Sequence, residues 1–469
     1  MTKTIAEALA YEAKALTFRD LPPDVVHEVK RQVLDTIGVG LGGYLSEPSQ
    51  IIQSMIKEMS GPAESTVFGS GLRTSCLYAT LANGVMVRYL DYMNRCFLTK
   101  EARNNMGHHG ESIPSILAVG ERQHSSGQEI ITAIVLAFEL LSKVADSMGG
   151  THGVLEKRGW TKETRCPWVI ALIAGRLLGL NEQQMANALA VAASFTVELG
   201  ILISPREEIN MTRNLRFPYG AYNGILAALL AQKGFKGPLN VVEGHHGFAE
   251  VVTGGEMSLD KLRQPRKDWT IRHTWIKSIA SNGGALGLLE ATLKLVREHD
   301  IRPEDVAEVR IKTTSHAHRR TANPATRRYP KTKYTADHST YYTTAIAILD
   351  RAIGPEQFSE EKLRDPRVHE LVDRIFVEPS AGLEDLISPG LVEITTTKGE
   401  KYKREVLRPK GHPMNPMTDA DVENKFRSMA GKFMDEQQMR QIIDTVYNLE
   451  KLDDIGEFVK LLVIPGQIS

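Results

Sequence analysis

The sequence predicts a mainly α protein with a smaller α+β domain, and three observations carry that expectation. Apolar residues recur at helical spacing through most of the first half, period-two alternation is confined to stretches between 306 and 407, and helical spacing returns after 419. At 469 residues the chain is long enough for two cores rather than one. The expected division is an all-helical domain made from both chain ends, 1–265 and 406–469, around a smaller α+β domain at 266–405.

The elements follow in order. From Asp24 to Ile37, the residues Val26, Val29, Val33 and Ile37 recur at helical spacing, and Pro22 and Pro23 stand where a first turn tolerates proline. Glycines at 38, 40, 42 and 43 then read either as a break or as close helix packing. Further helices are expected at 112–122, 127–147, 167–179, 182–196 and 219–233. Several are apolar on more than one face, as buried bundle helices are. Residues 283–297 form another helix, and Val306–Thr314 alternates like a half-buried strand. Residues 315–338 are polar, basic and proline-containing and read as a long loop, before helix 339–352. Leu391–Leu407 has strand character on both sides of Lys398-Gly399, a hairpin signal, and Asp419–Leu462 is helical.

Composition excludes several function classes. The apolar fraction is 42% and the charged fraction 24%, as in soluble globular proteins. Lysine plus arginine and aspartate plus glutamate both number 57, so the basic excess of a non-specific nucleic-acid binder is missing. No nucleic-acid partner is expected. The basic stretch His316–Arg328 is the best candidate for polyanion contact, and it reads as an active-site or dimer loop before an RNA site. His316 and His318 could share one strand face. No run approaches the eighteen or so apolar residues of a membrane helix, so no membrane partner is expected. The amphipathic start, with Glu7 and Glu12, lacks the apolar core of a signal peptide. Cys76, Cys96 and Cys166 make no CxxC pair and no metal-ligand spacing, which fits a reducing compartment and a cytoplasmic location. GSGLRTS (69–75) lacks the P-loop lysine, and no GxSxG elbow is present.

Four segments, read together, resemble the MmgE/PrpD family. They are LDTIGVGLGG (34–43), ANGVMVRYLDYMN (82–94) with GHHGESIPSILAVGE (107–121), KSIASNGGALGLLEATLKL (277–295) and ADHSTYYTTAIAIL (336–349). LLGL (177–180), EGHHGF (243–248) and PKGHPMNPM (409–417) fit in the same order. The family includes 2-methylcitrate dehydratase, cis-aconitate decarboxylase and an iminodisuccinate epimerase. The resemblance spans nearly the whole chain. It implies a helical domain with a smaller α+β lid, a homodimer, an active site between the domains, and neither metal nor organic cofactor.

Dehydrating a hydroxy acid needs a base near an acidic C–H, an acid near the leaving hydroxyl, and cations for the carboxylates. The resemblance carries the catalytic roles to Asp91, His108, Lys277 and Tyr342. Asp91 is the acid, base or orienting group, and His108, whose side chain titrates near neutrality, is first choice for proton transfer. Lys277 is a carboxylate clamp or enolate stabiliser, and Tyr342 a phenol donor. Substrate contacts are expected from Arg95, His109, Arg213, Arg216 and His338. Arg213 stands where the family often has lysine, and guanidinium still grips a carboxylate bidentately. Arg206 lies close by, and Lys100 and Arg103 add to the basic set near Arg95. Taken singly, each residue has a plainer reading: a solvated aspartate, a helix-capping histidine, a surface lysine, a core tyrosine.

Three departures from the family pattern bear on function. RGWTKETRCPW (158–168) holds no histidine where relatives carry one, with Thr161 or Lys162 nearby; Asn94 replaces a second aspartate; and Ile279-Ala280 replaces a Phe-Pro pair. The leading expectation is a hydro-lyase acting on a citrate-like or 2-methylcitrate-like di- or tricarboxylate. Decarboxylation of cis-aconitate or an epimerisation is the alternative, and a catalytically silent carboxylate- or protein-binding relative is a third, of another class.

Overall fold

In the computed structural model, which describes residues 3–59, 61–102, 105–195, 197–265 and 268–466, the first long helix runs from Pro23 to Gly42. It passes straight through Gly38 and Gly40. These glycines serve close packing rather than a break. A Cβ on Gly38 would stand 3.0 Å from the Phe426 Cα, and one on Gly42 2.9 Å from the Met429 sulfur. The helix Asp419–Ala430, near the far end of the chain, therefore lies directly against it.

The expected helices are present as Ile113–Gln123, Gly127–Ser147, Cys166–Leu177, Glu182–Ser194 and Arg216–Gln232. Gly127–Ser147 begins with a reciprocal cap between Ser126 and Glu129 and is buried on nearly every face, as its apolar composition requires. Cys166–Leu177 and Arg216–Gln232 pack tightly, since Gly224 lets the second helix approach the Pro167 carbonyl and Ile170. One continuous core joins these helices to Asp419–Ala430 and Glu436–Tyr447.

A second core gathers Leu286–Glu298 and Thr340–Asp350 against a four-stranded sheet. The strand order is Ile375–Pro379, Val306–Thr313, Gly390–Thr396, Lys401–Val406. Val306–Thr313 pairs parallel with the first of these and antiparallel with Gly390–Thr396. Its alternation buries Val306, Val309 and Ile311. The hairpin turns at Lys398-Gly399, where Gly399 takes φ +84°. Strand Ile375–Pro379 escapes the sequence reading because only its first residue is fully buried, so it shows no alternation. A small three-stranded sheet, in which Arg95–Phe97 pairs with Asn105–Gly107 and Thr274–Trp275, brings segments of the two cores together.

The expected loop at 315–338 is instead three short helices, Ser315–Thr321, Pro324–Arg327 and Lys333–Ala336. Each is started by a side-chain cap, from Thr314, Asn323 and Thr332 respectively, and these caps are what outweighs the polar composition. His316 and His318 thus lie on a helix and share no strand face. Arg103, and residue 266 where the smaller domain was expected to begin, lie outside the described residues. Among the described residues, no helix is long and apolar enough to cross a membrane, and the three cysteines are buried and unpaired.

The contact between the two chain ends contains a buried ion pair. The Lys425 ammonium lies 2.6 Å from the Asp35 carboxylate, donates to the Tyr92 carbonyl at 2.9 Å and sits over the Tyr92 ring. Removing one partner strands the other charge. Lys425→Ala should therefore lower the unfolding free energy by about 3–5 kcal/mol in denaturant titration, and adding Asp35→Asn should restore part of that loss.

Candidate active site

The helix Cys76–Tyr89 ends at Leu90, and the next residue, Asp91, takes φ +49°. Aspartate visits this left-handed region more readily than most residues, and the turn points its carboxylate inward, leaving the residue 2% exposed. Asp91 Oδ1 lies 3.4 Å from Lys277 Nζ, 3.5 Å from Arg88 Nη1 and 3.6 Å from Arg213 Nη2, and Oδ2 lies 3.9 Å from His338 Nε2. Burial alone would raise its pKa; Lys277, Arg213 and Arg88 together hold it well below the usual carboxylate range.

Lys277 is fully buried behind Asp91 and is not on the wall of the cavity described below. Its ammonium donates to the carbonyls of Asp91 at 2.6 Å and Ser281 at 3.0 Å, so it fixes the Asp91 turn itself. Burial brings its pKa down to about 8, with Asp91 opposing. Arg213 donates from Nη1 to both oxygens of Asp337, at 2.8 and 3.1 Å, and Lys333 reaches the same carboxylate at 3.2 Å. Asp337 in turn accepts from Nδ1 of His338. This leaves Nε2 of His338 facing Asp91 and the cavity.

His108 is prepared by Asn94. Its Nδ1 lies 2.6 Å from the Asn94 carbonyl, which can only accept, so Nδ1 carries the proton and Nε2 keeps a lone pair. The Asn94 side chain completes the clamp: Oδ1 accepts from the Gly110 amide at 3.1 Å while the amide nitrogen donates to Gln32 at 2.5 Å. An aspartate here could not make the second bond. Burial, reinforced by Lys162, Lys277 and Arg88, pushes the His108 pKa well below its ordinary value, so the ring is neutral.

A cavity of about 110 Å³ lies at the seam of the two cores. Arg88, Asp91, Arg95, His108, Lys162 and Arg216 line it from the helical side, and Asn282, Gly283, His316, Arg320 and His338 from the other. Of the residues expected in the site, Asp91, Arg95, His108, Arg216 and His338 reach this wall, and Lys277 and Arg213 sit one layer behind. Arg95 commits Nη1 to the Gly283 carbonyl and to Ser388, at 2.8 and 2.9 Å, with its guanidinium over Phe97 and Trp275. Arg216 pairs with Glu163.

Two expected residues are elsewhere. Tyr342 is buried in the second core against Phe358, and its hydroxyl donates to the Gln357 carbonyl at 2.7 Å. Its helix faces inward at that position, which leaves the phenol no route to the cavity. His109 turns the other way from His108, with Nε2 2.8 Å from Ser142 Oγ and its ring edge-on to Phe138. It packs the loop onto helix Gly127–Ser147.

Other residues on this wall were not singled out from the sequence. Thr161 stays off this wall and donates to Glu198 at 2.8 Å, while its neighbour Lys162 reaches the cavity. Lys162 is half-buried, 3.7 Å from Glu163, and desolvation with Arg216 and Arg88 nearby brings its pKa down to about 7. Arg88 pairs with Glu111 at 2.9 Å. The Arg88–Asp91 spacing across a helix end was its one sequence signal.

Asp91, Asp337 and His338 lie close enough to grip a metal ion. Their charge is already met by Arg213, Lys277, Lys333 and Arg88, so the donor set is that of an ion-pair network. Around the cavity, the carboxylates of Asp91, Glu111, Glu163 and Asp337 face the cations of Arg88, Lys162, Arg213, Arg216, Lys277 and Lys333. That leaves two positive charges over when all three lysines are protonated, before Arg95 is counted; Glu156 and Arg320, which also line the cavity, offset one another.

Two outcomes follow from these placements. Tyr342→Phe should cost about 1 kcal/mol of stability through its lost hydrogen bond and leave turnover within about twofold, measured by denaturation and steady-state kinetics. Lys162 has a folded-state pKa near 7 against an ordinary 10.5, so the unfolded chain holds a proton there that the folded chain releases across that interval. Stability at this position therefore rises with pH between about 7 and 10, and the burial cost is felt in full below 7. Lys162→Met should melt above the parent near pH 6, with the advantage shrinking as pH approaches about 10.

Comparison with known proteins agrees with this architecture. Residues 7–260 match the MmgE/PrpD N-terminal domain and residues 280–449 the MmgE/PrpD C-terminal domain. The chain is 26% identical to a cis-aconitate decarboxylase of Homo sapiens, over 99% of this chain and 96% of that protein. It is 25% identical to a cis-aconitate decarboxylase of Aspergillus terreus, over 98% and 96%. Identity to a mitochondrial 2-methylcitrate dehydratase of Yarrowia lipolytica is 24%, over 92% and 85%. The chain therefore belongs to the MmgE/PrpD family.

Proposed function

We propose that the protein is a lyase acting on a small di- or tricarboxylic acid by proton transfer at His108. The surplus positive charge of a buried cavity carries this reading. An unbalanced buried charge is costly, and a polycarboxylate of two or three negative charges offsets it.

The pKa shifts fit the same occupant. Burial first, and neighbouring cations after it, hold His108 and Lys162 down. An arriving polyanion counters the cations' share and raises both. His108 Nε2 then becomes an effective base for a proton α to a carboxylate, and Lys162 a loaded acid for a leaving hydroxyl. Arg88, Arg95 and Arg216 would oppose the charge that builds on the substrate carboxylate. Asp91 and His338 orient this set, while Lys277 and Arg213 act through Asp91 and Asp337. Dehydration of a citrate-like hydroxy acid uses each of these groups. Decarboxylation of cis-aconitate is the second reading, favoured by decarboxylase relatives that align over nearly the full chain.

The two cores as separate domains, 1–265 with 406–469 and 266–405, belong to this reading, as does a homodimer. The alternating exposed apolar residues Phe195, Val197, Leu199 and Ile201 suit such an interface. Three unpaired, buried thiols suit the reducing cytoplasm.

Incubation with citrate, 2-methylcitrate and cis-aconitate, followed by product mass, tests the proposal. Loss of water marks dehydration, loss of carbon dioxide marks decarboxylation, and an unchanged mass with inverted configuration marks epimerisation. His108→Gln should lower turnover by about 10²–10⁴-fold with its melting temperature preserved. If none of these acids is turned over and none raises the melting temperature, the proposal fails.

A further inference from the structure

His152, Glu156, His316 and Arg320 line two hollows at once: the cavity described above, and a larger one of about 530 Å³ outside it. These four residues form the partition between them. Glu156 accepts from His152 Nδ1 at 2.6 Å and pairs with Arg320 at 2.5 Å, and the two imidazole rings lie 4.0 Å apart. Val154–Lys157, which carries Glu156, belongs to the helical side of the seam, whereas His316 and Arg320 stand on Ser315–Thr321. The partition thus closes across the junction of the two cores.

The outer hollow is lined almost wholly by one sign of charge. Lys157, Arg206, Arg319 and Arg320 face it, along with His318. Its one carboxylate is Glu156, which Arg320 and His152 already engage. Among the described residues no carboxylate forms an ion pair with Lys157, Arg206 or Arg319. Other surface hollows differ: one sets Arg73 and Lys460 against Glu121 and Asp454, and another sets Lys143 and Lys261 against Glu139 and Asp146. A cleft of single sign concentrates counter-ions, and this one abuts a cavity with positive charge to spare.

We propose that the outer hollow is a second anion-binding site, which receives a small polycarboxylate at the seam before it crosses the partition. The inference rests on the carboxylate reading of the inner cavity. An arriving carboxylate can replace Glu156 on Arg320 like for like, so the guanidinium keeps an anionic partner while the partition opens.

Titration calorimetry of the full chain with tricarballylate, a tricarboxylate with no hydroxyl to lose, tests it. Two sites per chain are expected. The variant Lys157→Ala/Arg206→Ala/Arg319→Ala should weaken one of them about tenfold or more, and Lys162→Met should weaken the other. A single site, unchanged in the triple variant, overturns the outer site and leaves the inner reading standing. A single site lost in the triple variant and indifferent to Lys162→Met upholds the outer site and overturns the inner reading. Inorganic phosphate that displaces tricarballylate from the outer site at equal concentration overturns its assignment to carboxylates. With an acid that is turned over, the triple variant should raise KM several-fold at unchanged kcat and flatten the salt dependence of kcat/KM.

Discussion

The site depends on one buried carboxylate. Asp91 stands in a left-handed turn just past a helix end, and three cations and an imidazole converge on it from four parts of the chain. A lone carboxylate so deeply buried would be costly. Here it organises its surroundings: Lys277 ties the turn to the segment that leads into the second core, and Arg213 carries the link on to Asp337 and His338. The same residues that neutralise Asp91 thereby set the distance between the two walls of the cavity.

Around this anchor the two imidazoles are fixed in complementary ways. His108 gives its Nδ1 proton to a carbonyl, and His338 gives its own to a carboxylate. Each presents Nε2 inward, in surroundings that disfavour the charged ring. A neutral imidazole among uncompensated cations is poised to respond to a negative ligand. The apparent losses from the family pattern fit this economy. Asn94 makes a bond to Gln32 that aspartate could not, and the position next to Thr161 supplies a lysine of depressed pKa.

Much of this was legible in the sequence. Helical spacing located the long helices, because a buried face imposes its period whatever the neighbours do, and the alternation of Val306–Thr313 located the central strand. Ordered motifs pointed to Asp91, His108 and His338. Tyr342 was misplaced because sequence position fixes a residue's helix but not which side of it meets a cavity. Lys162 was noticed beside Thr161 but given no role for a related reason: a lysine looks the same on the surface and at a half-buried seam. The segment 315–338 looked like a loop because its composition is polar, and the caps at Thr314, Asn323 and Thr332 are local events that composition averages away.

The glycine-lined contact between Pro23–Gly42 and Asp419–Ala430 has a consequence for biosynthesis. Lys425 holds the Tyr92 carbonyl, one residue beyond the Asp91 turn, and it is made more than three hundred residues later. A nascent polypeptide can collapse its early helices while still on the ribosome, yet the strut beneath that turn is absent until residue 425 has emerged. Competence for chemistry is therefore withheld from products that stop short of Lys425, and cleavage just ahead of it would silence a site more than three hundred residues away in sequence.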